Sequence, residues 1–132
     1  MKGIIAGLIL LLAFAVLPVS AARRAETLRV QINKEKSFPK SKLSVRFVEL
    51  VEDSRCPADA QCVWAGNAKI KIRVTMNGRS HELTLDTNGP HQATTAEGYS
   101  IKLISLTPAP RSNIRIDRNG YVATFEAVKL SR

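Results

Sequence analysis

The sequence predicts an all-β protein, an antiparallel β-sandwich of six to seven short strands, with a small closed β-barrel as the alternative. Three observations carry that prediction. Apolar and polar side chains alternate over most of the chain after Thr27, as in strands that bury one face. Turn residues punctuate the pattern at short intervals, Asn77-Gly78 most clearly. Beyond residue 22 no stretch repeats with the helical period.

The first element reads as a cleavable export signal over residues 1–21. Lys2 gives a positive start, Ile4 to Leu17 form a fourteen-residue apolar core, and Val19-Ser20-Ala21 sets small residues before a cut after Ala21, with a cut after Ala22 fitting nearly as well. A membrane-spanning helix needs about twenty apolar residues. Pro18 ends this run too early, so a retained anchor is the weaker reading. Residues 22–132 then make one domain, large enough for one core and without a transmembrane segment. The expected location is the periplasm or the medium.

In chain order, Leu28, Val30 and Ile32 alternate with Arg29 and Gln31 as a half-buried strand. Asn33 to Ser41, rich in lysine and holding Pro39, reads as a loop. In the next strand, Leu43 to Glu52, the apolar phase changes after Phe47, which calls for a bulge near that residue or burial on both faces. Ala68 to Met76 is the clearest strand, and Asn77-Gly78 supplies a two-residue type I′ turn. That turn pairs Met76 with Arg79, Val74 with His81, Ile72 with Leu83 and Ile70 with Leu85, and sets Glu82 opposite Arg73. Asp86 to Gly98 has no period and reads as a long loop, either functional or disordered. Tyr99, Ile101 and Leu103 resume a strand that shifts phase at Ile104 and Leu106 and ends at Pro108. A short strand at Ile114 and Ile116, a turn at Asp117 to Gly120, and a closing strand from Tyr121 to Leu130 complete the series.

Between two of these strands lie both cysteines and the single tryptophan. An exported chain with two cysteines is read as carrying one disulfide, here Cys56 to Cys62, a local ring of modest stabilising value, about 2 kcal/mol at most. Pro57 stiffens the ring by fixing its own φ and restricting Cys56. Trp64 is expected to cover the disulfide, with an exposed binding anchor as the alternative. Asp53 and Arg55 read as an ion pair that orders the loop, and Gly66-Asn67 as a turn into the next strand. Asp53, Arg55, Pro57 and Trp64 are the candidate binding residues of this loop.

The run Asp53-Ser54-Arg55-Cys56-Pro57, four residues, then Cys62-Val63-Trp64-Ala65-Gly66 resembles the signature of a group of small exported bacterial proteins, secreted or lipid-anchored and uncharacterised. Leu106-Thr107-Pro108-Ala109-Pro110 adds to the likeness. The resemblance implies export and no particular activity. The chain departs from the lipid-anchored members, because no cysteine stands at its expected cleavage site.

Few chemistries fit the remaining residues. A metal site would have to join Cys56 and Cys62 to His81 or His91, at a cysteine spacing wider than zinc sites use, so no metal is expected. His81 falls on the apolar face of the hairpin and reads as a core histidine rather than a catalytic base. Neither a nucleophile elbow, a phosphate loop nor a dinucleotide fingerprint occurs. Carboxylate pairs drawn from Glu49, Glu52, Asp53 and Asp59 are of a kind that any β protein offers. No enzyme and no cofactor are expected.

The mature domain carries nineteen basic and eleven acidic side chains, a net charge of +8. The bases are dispersed, which reads first as a solvated surface and second as an anion-binding face, and nucleic acid is not expected as a partner. Lys69, Lys71, Arg73, Lys102 and Arg115 are the candidates for an anion-binding face. The leading expectation is a module that presents the Cys56–Cys62 loop to a partner protein in the cell envelope. A basic surface for anionic envelope polymers and an inhibitor of an exported hydrolase are the alternatives.

Overall fold

A computed structural model of the chain describes residues 24–131 together with Ala15 and Val16. Apart from those two residues, the expected signal lies outside the described part, as do both expected cleavage points. Eight strands form two four-stranded antiparallel sheets that do not close into a barrel, and the described residues include no helix. The sandwich expectation holds.

Strand β1 (Ala25–Gln31) lies at the edge of the first sheet beside β8 (Val122–Lys129). Next to β8 come β7 (Tyr99–Thr107) and then β6 (Ala93–Ala96). The second sheet runs β2 (Glu35–Ser37), β3 (Ser44–Asp53), β4 (Ala68–Met76), β5 (Arg79–Asp86). Alternation makes these elements two-faced, and the two apolar faces meet. Val45, Phe47, Ile70 and Ile72 of one sheet are fully buried, as are Leu103 and Phe125 of the other. A buried aliphatic or aromatic side chain contributes about 1.5–3 kcal/mol relative to exposure, so this seam is the main source of stability.

The β4–β5 hairpin has the register that its turn dictates, from Met76 opposite Arg79 to Ile70 opposite Leu85. Asn77 and Gly78 both adopt positive φ, as a type I′ turn requires. In β3 the pairing slips between Phe47 and Glu49, the bulge expected there, and again between Leu50 and Glu52. The second slip leaves Val51 half-exposed. Strand β7 slips between Leu103 and Ser105, which returns Leu106 to the core while Ile104 stays at the surface.

Three local expectations need correction. The lysine-rich loop contains β2, an exposed three-residue edge strand. Its charged side chains match the way edge strands avoid pairing with other chains, and hide the strand from a search for alternation. Asp86 to Gly98 is not structureless: Ala93–Ala96 pairs with β7 through a two-residue turn at Glu97-Gly98, both at positive φ. Ile114 and Ile116 form no strand, since Ile114 makes only an isolated bridge to Arg111. Both sides of β8 are already taken, by β1 and β7, so residues 114–116 cannot pair beside the closing strand.

Candidate interaction site

One end of the sandwich is built from two long connections. Fourteen residues, 54–67, join β3 to β4, and fourteen more, 108–121, join β7 to β8, although each strand pair is adjacent and antiparallel. Two to five residues close most such hairpins.

The first connection leaves β3 still paired. The Ser54 amide donates to Asn67 O at 2.7 Å and the Cys56 amide to Ala65 O at 3.0 Å, which prolongs the ladder beyond the strands. Gly66 makes that possible. It sits at φ +71°, and a Cβ there would collide with the Ser54 carbonyl oxygen. Beyond this neck, Cys56 and Cys62 form a disulfide with their Cα atoms 5.9 Å apart. The Ala60 amide donates to Pro57 O at 3.1 Å, so a turn fills the ring.

The ring rests on the second connection. Ala58 donates its amide to Pro110 O at 2.8 Å, and Ser112 donates its amide to Asp59 Oδ1 at 2.8 Å. The Ser112 amide bond outweighs the opposing effect of burial and, with a lesser contribution from the charge of Arg111, holds the Asp59 carboxyl below its ordinary value. Asn67 ties in a third segment, since its Oδ1 accepts the Asn88 amide at 3.0 Å and the Thr87 hydroxyl at 3.3 Å.

Arg55 joins the two sheets. Its Nε and Nη2 each reach the Asp53 carboxylate at 2.8 Å, Nη1 donates to Leu106 O at 2.6 Å, and Nη2 also donates to Pro108 O at 3.0 Å. The two side chains are 13% and 12% exposed, so this is a nearly buried bidentate pair. The Tyr121 hydroxyl completes the node by donating to Asp53 Oδ2 at 3.3 Å. Burial alone would raise the Asp53 carboxyl, but the hydrogen bonds and charge of Arg55 outweigh it and hold the group below its ordinary value of 3.8. Burial, and then the neighbouring Asp53 charge, push the Tyr121 phenol up.

The expected ion pair of Asp53 and Arg55 is therefore present, and its place in the fold makes Arg55 a brace rather than a presented side chain. Trp64 departs from expectation in the opposite sense. It is 82% exposed and Val63 is 93% exposed. The ring lies beyond the ends of both sheets, and Cys62 is itself exposed, so the indole does not bury the disulfide. Ile114, 63% exposed, stands on the second connection at the same end.

The anion-binding candidates do not converge. Lys71 meets Glu49 at 2.9 Å and Arg73 meets Glu82 at 2.8 Å, while Lys69 stands opposite Glu52 and Asp86. Glu49, by hydrogen bond and charge, raises the Lys71 ammonium, and Arg73 lowers the Glu82 carboxyl. Lys102 lies in the other sheet opposite Glu126, and Arg115 in the β7–β8 connection. Cross-strand acids neutralise the stripe.

His81 has the register expected of it, but it is exposed and its Nε2 lies 2.7 Å from Glu97 Oε1. β5 is the edge strand of its sheet and its first four residues are all exposed, although Val74 opposite His81 is fully buried, so an inward register position there does not bury its side chain. His81 is thus not a core histidine. Both cysteines are held in the disulfide, and no group of three or more metal-ligating side chains converges among the described residues.

Three features escaped sequence reasoning: the Tyr121 contact with Asp53, the seat of the ring on Pro110 and Ser112, and the Asn67 clasp. All are contacts between segments far apart in the chain, and no local pattern announces them. The length of the two connections was the one available signal. No family model, curated protein or solved structure matches the chain.

Proposed function

We propose that this protein is an exported, non-enzymatic interaction module of the cell envelope, and that it presents the Cys56–Cys62 loop to a partner protein. One observation carries the reading: the single tryptophan stands 82% exposed on a loop that is covalently closed and braced. Tryptophan dominates interface hot spots because one rigid side chain buries a large area at little conformational cost. Val63 and Ile114 enlarge the apolar surface at that end. A loop ordered in advance loses little entropy on binding, which suits a docking surface. A disulfide and a preceding apolar leader support a location outside the cytoplasm. Inhibition of an exported hydrolase is the special case in which the partner is an enzyme.

The test is a photo-reactive residue placed at Val63 in cells that produce the protein, compared with the same residue at Asn77 on the opposite end. The expected result is a discrete cross-linked product from position 63, lost when Trp64→Ala is added, and none from position 77. Equal products from both positions, or none from either, overturn the reading. Mass spectrometry of the mature protein checks export: a chain beginning at Ala22 or Arg23 with no free thiol is expected.

A further inference from the structure

We propose that the cleft between β3 and residues 115–121 of the β7–β8 connection binds a carboxylate carried on an apolar body. The cleft is open to solvent and measures about 740 Å³, within the roughly 300–1,000 Å³ of small-molecule sites. Its apolar wall is fixed by the fold. Leu50 and Ile116 are half-buried and packed against the core, and Tyr121 is 6% exposed. The Tyr121 hydroxyl is engaged by Asp53, so what it offers a ligand is ring surface.

The rest of the lining is charged. Arg115 and Arg118 border the cleft, are exposed, and make no salt bridge among the described residues. Asp117 lies between them, but its Oδ1 accepts the Asn119 amide at 2.9 Å and caps the turn. Two cations against one anion leave a net charge of +1, which a monoanionic carboxylate balances and a dianionic phosphate exceeds. A guanidinium fork matches a carboxylate with paired hydrogen bonds, and apolar walls beside it select an acid with an aliphatic or aromatic body. This site is independent of the Trp64 surface. The same chemistry comes from two sources, a free organic acid or a peptide ending in an apolar residue.

The experiment is a nuclear magnetic resonance titration of the isotope-labelled mature domain with four probes. These are 3-phenylpropionate, its amide, and an N-acetylated tripeptide ending in phenylalanine as free acid and as amide. The acids are expected to shift the amide signals of Leu50, Ile116 and Tyr121 in a saturable way, and the amides are not. Response to the small acid assigns a free organic acid, and response to the peptide acid alone assigns a chain terminus; each supports the site. The exposed pair R115Q/R118Q, whose unchanged remaining spectrum reports an intact fold, should weaken binding about tenfold or more. No response to either acid, equal response to the amides, or full affinity in the double variant overturns the proposal. Trp64→Ala should leave the titration unaltered, so failure here and failure of the ring surface are separate results; a loss in that variant would place the response at the ring and overturn the cleft assignment.

Discussion

The two ends of this sandwich solve the same connection problem in opposite ways. At one end β4–β5 and β6–β7 are joined by two residues each, Asn77-Gly78 and Glu97-Gly98, with the His81–Glu97 contact linking the sheets. At the other, β3–β4 and β7–β8 each use fourteen, held by a disulfide, a nearly buried arginine and a set of long-range amide bonds. Short turns suffice to make the sheets. The longer end carries more chain than folding requires, and its bracing ends in exposed apolar side chains. That mismatch between rigidity and exposure points to a surface kept in shape for something else.

Substitutions at the two ends should differ sharply in cost. Gly66→Ala should be the most severe, because the new Cβ strikes the Ser54 carbonyl in a left-handed backbone; a loss of several kcal/mol in denaturant unfolding is expected. Gly78→Ala has open space around its Cβ and should cost far less. Arg55→Ala should cost about 3 kcal/mol, since it strands a nearly buried carboxylate and leaves the Leu106 and Pro108 carbonyls without their donor. Cys56→Ser with Cys62→Ser should cost about 2 kcal/mol, and hydrogen exchange should rise at Ala58 and Ala60 but not in the β4–β5 hairpin.

Acid sharpens the same contrast. The Asp53 carboxyl is held below 3.8 in the folded state, so its contribution is present above that pH and fades as the pH falls through the folded value. Asp53→Asn should be less stable than the parent at neutral pH, and the two unfolding curves should converge below about pH 3.8. Parallel curves down to the acid limit would remove Asp53 from the account. The smallest effect on stability belongs to Trp64→Ala, expected within about 0.5 kcal/mol of the parent because the indole buries almost nothing.

What the sequence made legible follows from how local each cause is. Asn77-Gly78 and the alternation from Ala68 to Leu85 settle a hairpin within themselves, and its register is the one observed. The phase changes near Phe47 and Ile104 likewise mark bulges, because a single inserted residue reverses which side chains face the core. Strands β2 and β6 left no such mark, being short, polar edges whose pairing is decided by β3 and β7. The ring was legible as chemistry but not as geometry. Nothing in residues 53–67 indicates that residues 106–112 lie beneath them, and so nothing indicates that the indole faces water.

With a single tryptophan in the chain, fluorescence excited at the red edge, where the two tyrosines do not absorb, reads that position alone. A braced loop with an exposed indole predicts emission like that of indole in water, ready quenching by acrylamide, and an anisotropy decay dominated by tumbling of the whole domain. Blue-shifted emission protected from the quencher would show Trp64 packed against the ring and contradict the account, as would a fast local decay showing the loop unbraced.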